Sequence, residues 1–124
     1  MIDKRPVELQ LFAFKFPFTA ILSILHRISG TIVFFLIPVF LYGAELAMHS
    51  EDNFLLLIKF FTNPFVAIPV WGFLIILIYH MFAGVRHLIM DFGIFESKKS
   101  ANLTGMVVIT ITVIVGALLG VCLW

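Results

Sequence analysis

Charge is what this chain has least of. Charged residues make up 12% of its 124 positions, about half the roughly 25% of a soluble domain. With 62% apolar residues and a mean hydropathy of +1.15, the composition excludes a soluble globular protein and reads as an integral membrane protein. Cysteine is nearly absent. Cys122 stands alone in the last apolar run, so no intrachain disulfide is available and nothing follows about redox compartment. Two tyrosines stand against fifteen phenylalanines, a balance suited to side chains that face lipid. The net charge of +1 gives no electrostatic case for nucleic acid. A secretory signal is also missing from residues 1–20. Asp3, Lys4, Arg5, Glu8 and Lys15 interrupt its apolar residues, and no small-residue cleavage site follows a short apolar run. The acidic residues, with little Ser or Arg, argue against a transit peptide as well. No repeat, linker or low-complexity segment is present.

What the chain does have is three long apolar runs. About 20 mainly apolar residues cross a bilayer core as a helix. The runs cover about 18–47, 64–90 and 102–124. The expected fold is all-α and integral to the membrane, one anchor domain over 1–124 with three transmembrane helices. Pro38 should bend the first span by removing one backbone donor. Asn63-Pro64 reads as an N-cap with proline in the first turn of the second. Trp124 would anchor the end of the third at the interface. A chain this small must pack against other chains to enclose anything large.

Lys and Arg distribution sets the expected orientation. Lys4, Arg5, Lys15 and Arg27 lie on the N-terminal side, and Arg86, Lys98 and Lys99 lie in the second loop region. The first loop holds Lys59 beside Glu51 and Asp52. The positive-inside rule then places the N-terminus and the second loop in the cytoplasm. Residues 8–16, with Phe12, Phe14 and Phe16 around Lys15, should lie along the cytoplasmic interface.

Polar groups interrupt this pattern at two places. One is Ser23-Ile24-Leu25-His26-Arg27-Ile28-Ser29-Gly30, near the start of the first span. The other is Tyr79 through Asp91, which carries His80, Arg86 and His87. At 1.5 Å per residue, Arg27 lies roughly 13 Å in from Phe18 and His80 roughly 16 Å in from Asp91. With antiparallel spans the two clusters meet at similar depth. Ionisable groups are costly there and tend to face a cofactor, a partner or a water-filled path. A haem or quinone site between helices is the expected use.

On the second span, His80, Gly84, His87 and Asp91 share one face. A neutral imidazole can ligate haem iron, and Gly84 would let a flat ring approach the backbone. A spacing of seven puts the two imidazoles about two turns apart, which is not a zinc pattern. On the first span, Ser23, His26, Arg27 and Gly30 share a face. Ser23 could donate to a quinone carbonyl, and Arg27 could neutralise a propionate or a reduced quinone. The plainer alternatives stay open: histidines as polar glue between helices, and Arg27 snorkelling to headgroups. Gly116-x-x-x-Gly120 reads as a close-packing face for a helix partner. Glu45 and His49 read as interfacial. Asp91 reads as a solvated loop carboxylate, with Arg86 or a soluble subunit as other candidate partners.

Taken together, Arg5-Pro6, the Ser23–Gly30 segment and the His-x3-Gly-x-Arg-His-Leu-x2-Asp pattern from His80 to Asp91 resemble one family. It is the cytochrome b membrane-anchor subunit of succinate dehydrogenase, respiratory complex II, and the likeness covers nearly the whole chain. The resemblance implies that His80 is an axial ligand of haem b, with the other ligand on a second membrane-anchor subunit packed into the same helical bundle. It implies that Ser23 and Arg27 belong to a ubiquinone site completed by the iron-sulfur subunit and the second anchor. His26 and Arg27 would lie beside the haem propionates, and His87 near the haem or quinone edge. FAD and the iron-sulfur clusters would reside only in partner subunits, the flavoprotein and the iron-sulfur subunit. This chain would hold no catalytic residue of its own and would sit as a multi-pass protein in a bacterial inner membrane. Two rival readings are a quinol:fumarate reductase anchor, and a cofactor-free helical membrane protein.

Overall fold

The computed structural model describes residues 16–123. Lys4, Arg5-Pro6, Lys15 with most of the expected interfacial segment, and Trp124 lie outside the described residues. Within them the chain is helical throughout, with no strand. Helix α1 spans Phe18–His49, α2 Glu51–Phe61, α3 Pro64–Asp91 and α4 Lys98–Leu123. Helices α1, α3 and α4 are long and apolar enough to cross a membrane. They have 32, 28 and 26 residues, or about 39–48 Å at 1.5 Å per residue, against a hydrocarbon core of ~30 Å. Each therefore tilts or extends past the core. Proline lies inside α1 at Pro38 and inside α3 at Pro69.

Local chemistry explains the ends. Asn63 Oδ1 accepts from the backbone N–H of Phe65 at 3.0 Å, capping α3 with Pro64 in its first turn, as the sequence indicates. Ser97 Oγ accepts from the N–H of Ser100 at 3.2 Å, which starts α4 at Lys98, four residues before the expected edge. Helix α2 is the element that the hydropathy reading left as loop. Ser50 breaks α1 in extended conformation, and its Oγ accepts from the N–H of Asn53 at 3.2 Å. Glu51 and Asp52 lie in the first turn and Lys59 in the last, the charge order that favours the helix dipole. That capping signature was the signal available for it.

The three long helices run down, up and down. Phe40 stacks on Phe73 at one end of the α1–α3 pair with centroids 4.7 Å apart. His26 meets His87 towards the other end, so the pair is antiparallel. Helix α4 returns along α3. Trp71 Nε1 donates to the carbonyl of Gly116 at 2.9 Å. A Cβ on Gly116 would lie 3.0 Å from Ile75 Cγ1, and one on Gly120 3.2 Å from Trp71 Nε1. The Gly116-x-x-x-Gly120 face thus finds its partner within the chain, on α3. The interior is thin. Leu22, Val33, Phe73, Ala83, Ala101 and Val108 are its buried apolar residues, while Phe34 is 72% and Phe65 89% exposed. Apolar surface on that scale belongs against lipid or other helices.

The α3–α4 contact yields a stability prediction. Gly116→Val forces a branched side chain onto Ile75 and should cost about 1–3 kcal/mol, the usual range for overpacking. Gly72→Ala, where an added Cβ meets nothing within 4 Å, should instead gain roughly 0.5–1 kcal/mol of helix propensity. Thermal denaturation of the detergent-solubilised protein separates the two by the sign of the shift.

Candidate functional site

The polar residues of α1 and α3 converge on one seam. His26 and His80 stack face to face, with centroids 4.4 Å apart and planes 10° apart. His87, two turns along α3, lies 5.0 Å from His26 at a tilt of 42°. The expected meeting of the two clusters at one depth is therefore what the helices do.

Glycine makes the approach possible, and it does so reciprocally. A Cβ on Gly30 of α1 would lie 2.9 Å from Cε1 of His80, closer than side chains tolerate. A Cβ on Gly84 of α3 would lie 3.4 Å from Nε2 of His26. Each helix carries His-x3-Gly, and each imidazole lies over the glycine of the other. Gly84 does let a flat ring approach, but the ring beside it in this chain is the imidazole of His26.

The hydrogen bonds at the seam are few. Ser29, 4% exposed, donates from Oγ to the carbonyl of His26 at 2.8 Å, and the same Oγ lies 3.0 Å from Nδ1 of His80. Tyr79 donates from its hydroxyl to the carbonyl of Leu22 at 3.0 Å, one turn before His26. Nε2 of His26 is buried with no hydrogen-bond partner among the described residues. It is packed against the α3 backbone beside Gly84. Among the described residues no group of three His, Cys, Asp or Glu is arranged to hold a metal ion.

The expected faces are only partly kept. His80, Gly84 and His87 all lie against α1, as their spacing implies. Asp91 is exposed and outside the seam. On α1, His26 and Gly30 enter the seam. Ser23 is half-buried and Arg27 exposed, with no side-chain hydrogen bond or ion pair among the described residues. Glu45 and His49 are exposed, and the His49 ring lies 3.0 Å from the carbonyl of Glu45.

Arg86 departs from its sequence reading. Charge distribution places it with the cations of the second loop and as a candidate partner for Asp91. It is instead 7% exposed within α3. Its Nε donates to Thr104 Oγ1 at 3.1 Å and its Nη2 to the carbonyl of Ala101 at 2.8 Å. The reason is geometric: one residue before His87, its side chain is rotated onto α4. The residue that sequence reasoning left without a role is Ser29. Its place three after His26 and one before Gly30 was the available signal.

A cavity of about 510 Å³ opens at the other end of the molecule between α1, α2 and α3. Its walls, including Phe40, Leu57, Phe61 and Phe73, are wholly apolar. It offers no group to orient a polar ligand, so the histidine seam remains the candidate site.

Three apolar helices with a capped fourth, joined through an imidazole seam, define a small multi-pass membrane subunit. Residues 1–119 match the family described as the succinate dehydrogenase/fumarate reductase transmembrane subunit. The chain is 39% identical to a succinate dehydrogenase cytochrome b556 subunit of Coxiella burnetii, over all of both chains. It is 31% identical to the subunit of that name from Rickettsia prowazekii, over 96% of this chain and 93% of that one. Against a succinate dehydrogenase cytochrome b560 subunit of Marchantia polymorpha it is 34% identical over 85% and 80%. The chain belongs to this family, as a membrane-anchor cytochrome b subunit of succinate dehydrogenase. These relatives carry succinate dehydrogenase names, so the fumarate reductase alternative is not favoured.

The reciprocal seating predicts an asymmetry. Gly30→Ala drives Cβ into the His80 ring and should lower the thermal midpoint by the equivalent of about 1–3 kcal/mol. Gly84→Ala, at ordinary contact distance from His26, should stay within about 0.5 kcal/mol of wild type, the margin of an ordinary substitution. Equal losses in a denaturation series would show that the two glycines are not distinguished by their neighbours.

Proposed function

We propose that this subunit anchors the soluble flavoprotein and iron-sulfur subunits to the bilayer, holds haem b jointly with a second anchor subunit, and forms part of a ubiquinone-reduction site. The observation that carries the reading is the convergence of His26, His80 and His87 on one seam between two membrane-spanning helices.

The residues present fit a haem. Neutral imidazoles are iron ligands, and here three share one seam, with His80 and His87 each in ring contact with His26. We assign His80 as the residue of this chain that would hold the haem iron, the other ligand coming from the partner anchor. His26 is assigned beside the haem propionates, with Arg27 one residue on as the neighbouring cation. His87, tilted against His26, is assigned to the edge of the haem or quinone pocket. When bound, the haem supplies a one-electron redox centre.

Ubiquinone is the substrate at this subunit. It would take up two electrons and two protons, the electrons coming from succinate oxidation in the partner subunits. Ser23, half-buried one turn before His26 and Arg27, is assigned to donate to a quinone carbonyl. The Arg27 guanidinium, exposed on this chain, would favour negative charge developing on the ring oxygen once partner subunits cover it and exclude water. FAD and the iron-sulfur clusters remain with the partners. The chain would lie in a bacterial inner membrane with the α3–α4 loop in the cytoplasm. With Arg86 inside the bundle, Lys98 and Lys99 carry that orientation on the loop side.

Two experiments test this. A dithionite-reduced minus oxidised spectrum of the purified complex should show a b-type α-band that His80→Ala abolishes or shifts; an unchanged band in the assembled variant would remove His80 from the iron. Arg27→Leu and Ser23→Ala should lower quinone reduction about tenfold or more, as loss of a hydrogen bond to a charged group costs about 1.5–3 kcal/mol. Succinate oxidation by an artificial dye should persist. Equal loss of both activities would point to failed assembly.

A further inference from the structure

We propose that Ser29 is a positioning residue for His80: its Oγ accepts the Nδ1 proton and fixes the tautomer that leaves Nε2 free to bond iron. The inference rests on the reading of His80 as an axial ligand.

The argument is one of proton counting. A serine hydroxyl has one proton to donate and two lone pairs. The Ser29 proton is engaged by the carbonyl of His26 at 2.8 Å. Towards Nδ1 of His80, at 3.0 Å, Oγ therefore presents a lone pair, so Nδ1 carries the hydrogen. A neutral imidazole has one N–H, so Nε2 is the unprotonated nitrogen. Ser29 is buried, which keeps water from competing for either bond.

The neighbours complete the restraint. Gly30 brings the α1 backbone against Cε1 of His80, which limits movement of the ring edge. The His26 ring stacked at 10° holds its plane. Ser29 alone among these contacts can tell the two tautomers apart, because it alone bonds a ring nitrogen. Metal-ligating histidines commonly donate their second ring N–H in this way, which orients the ring and raises its basicity. The same bond holds the next residue of α1 beside the ring it serves, so the restraint depends on the α1–α3 register as a whole.

The test uses the assembled, haem-loaded complex with Ser29→Ala, Ser29→Cys and Ser29→Thr. Cysteine nearly preserves the volume but is a poor acceptor, and threonine keeps the hydroxyl. Two quantities are measured: the haem midpoint potential, and the rate of haem transfer from solubilised complex to apomyoglobin. In the alanine and cysteine variants the b-type α-band should remain. The potential should rise by about a tenfold change in the reduction equilibrium, 59 mV for a one-electron couple, because a less basic ligand favours ferric iron less. Haem transfer should accelerate roughly 10–100-fold, the usual cost of losing such a partner. Threonine should restore both values. Unchanged potential and transfer in alanine and cysteine would overturn the proposal. So would equal impairment in all three, or failure of all three to assemble, since serine would then serve packing alone. A band that survives unaltered in His80→Ala would instead overturn the ligand assignment beneath it.

Discussion

Two imidazoles, each lying over a glycine of the opposite helix, set the geometry on which the rest of this subunit depends. The contact between His26 and Gly84 and that between His80 and Gly30 need both helices in one register, because a slip of one residue turns each ring by about 100° around its helix. Once that register is set, Tyr79 reaches the Leu22 carbonyl and Phe40 stacks on Phe73 without further choice. Packing and chemistry are joined here: the close approach that seats the rings also brings Ser29 to His80.

The other helices attach by different means. Helix α4 is fixed at both ends by polar side chains of α3, Trp71 on Gly116 and Arg86 on Ala101 and Thr104. Water does not drive helices together in a bilayer, so close packing at small residues and interhelical hydrogen bonds take over. Arg86 shows how a cation can remain at that depth. Two of its donors are satisfied by α4, so the cost of desolvation is offset in part by charge-assisted bonds. Helix α2 closes the far end against the proline-bearing halves of α1 and α3, and it leaves an apolar cavity there in place of a polar site.

Much of this was legible in the sequence. The three spans follow from composition, because 18 or more apolar residues have few other fates. The Asn63 cap, the antiparallel depth match of the two clusters and the shared face of His80, Gly84 and His87 follow from helical spacing. The remainder depended on rotation about each helix axis, which spacing alone does not give. Arg86 and His87 are adjacent in sequence, yet one serves α4 and the other α1. Gly116 and Gly120 announced a close neighbour but not that it was Trp71 and Ile75 of the same chain. Helix α2 was hidden because its eleven residues are too few to span, and a hydropathy reading does not weigh caps. Ser29 was hidden because a serine inside an apolar helix usually bonds its own backbone; it does so here, and touches the histidine as well.

The reciprocal seating also has a consequence in time. Some sixty residues separate His26 from Gly84 along the chain, so at ~5–20 residues per second ribosomal synthesis delivers the first ring several seconds before the glycine that receives it. During that interval the polar cluster of α1 is without the α3 partners it has in the finished fold. Any delay in translating the stretch between Ser50 and Asn63 prolongs that interval without changing a single contact in the finished fold.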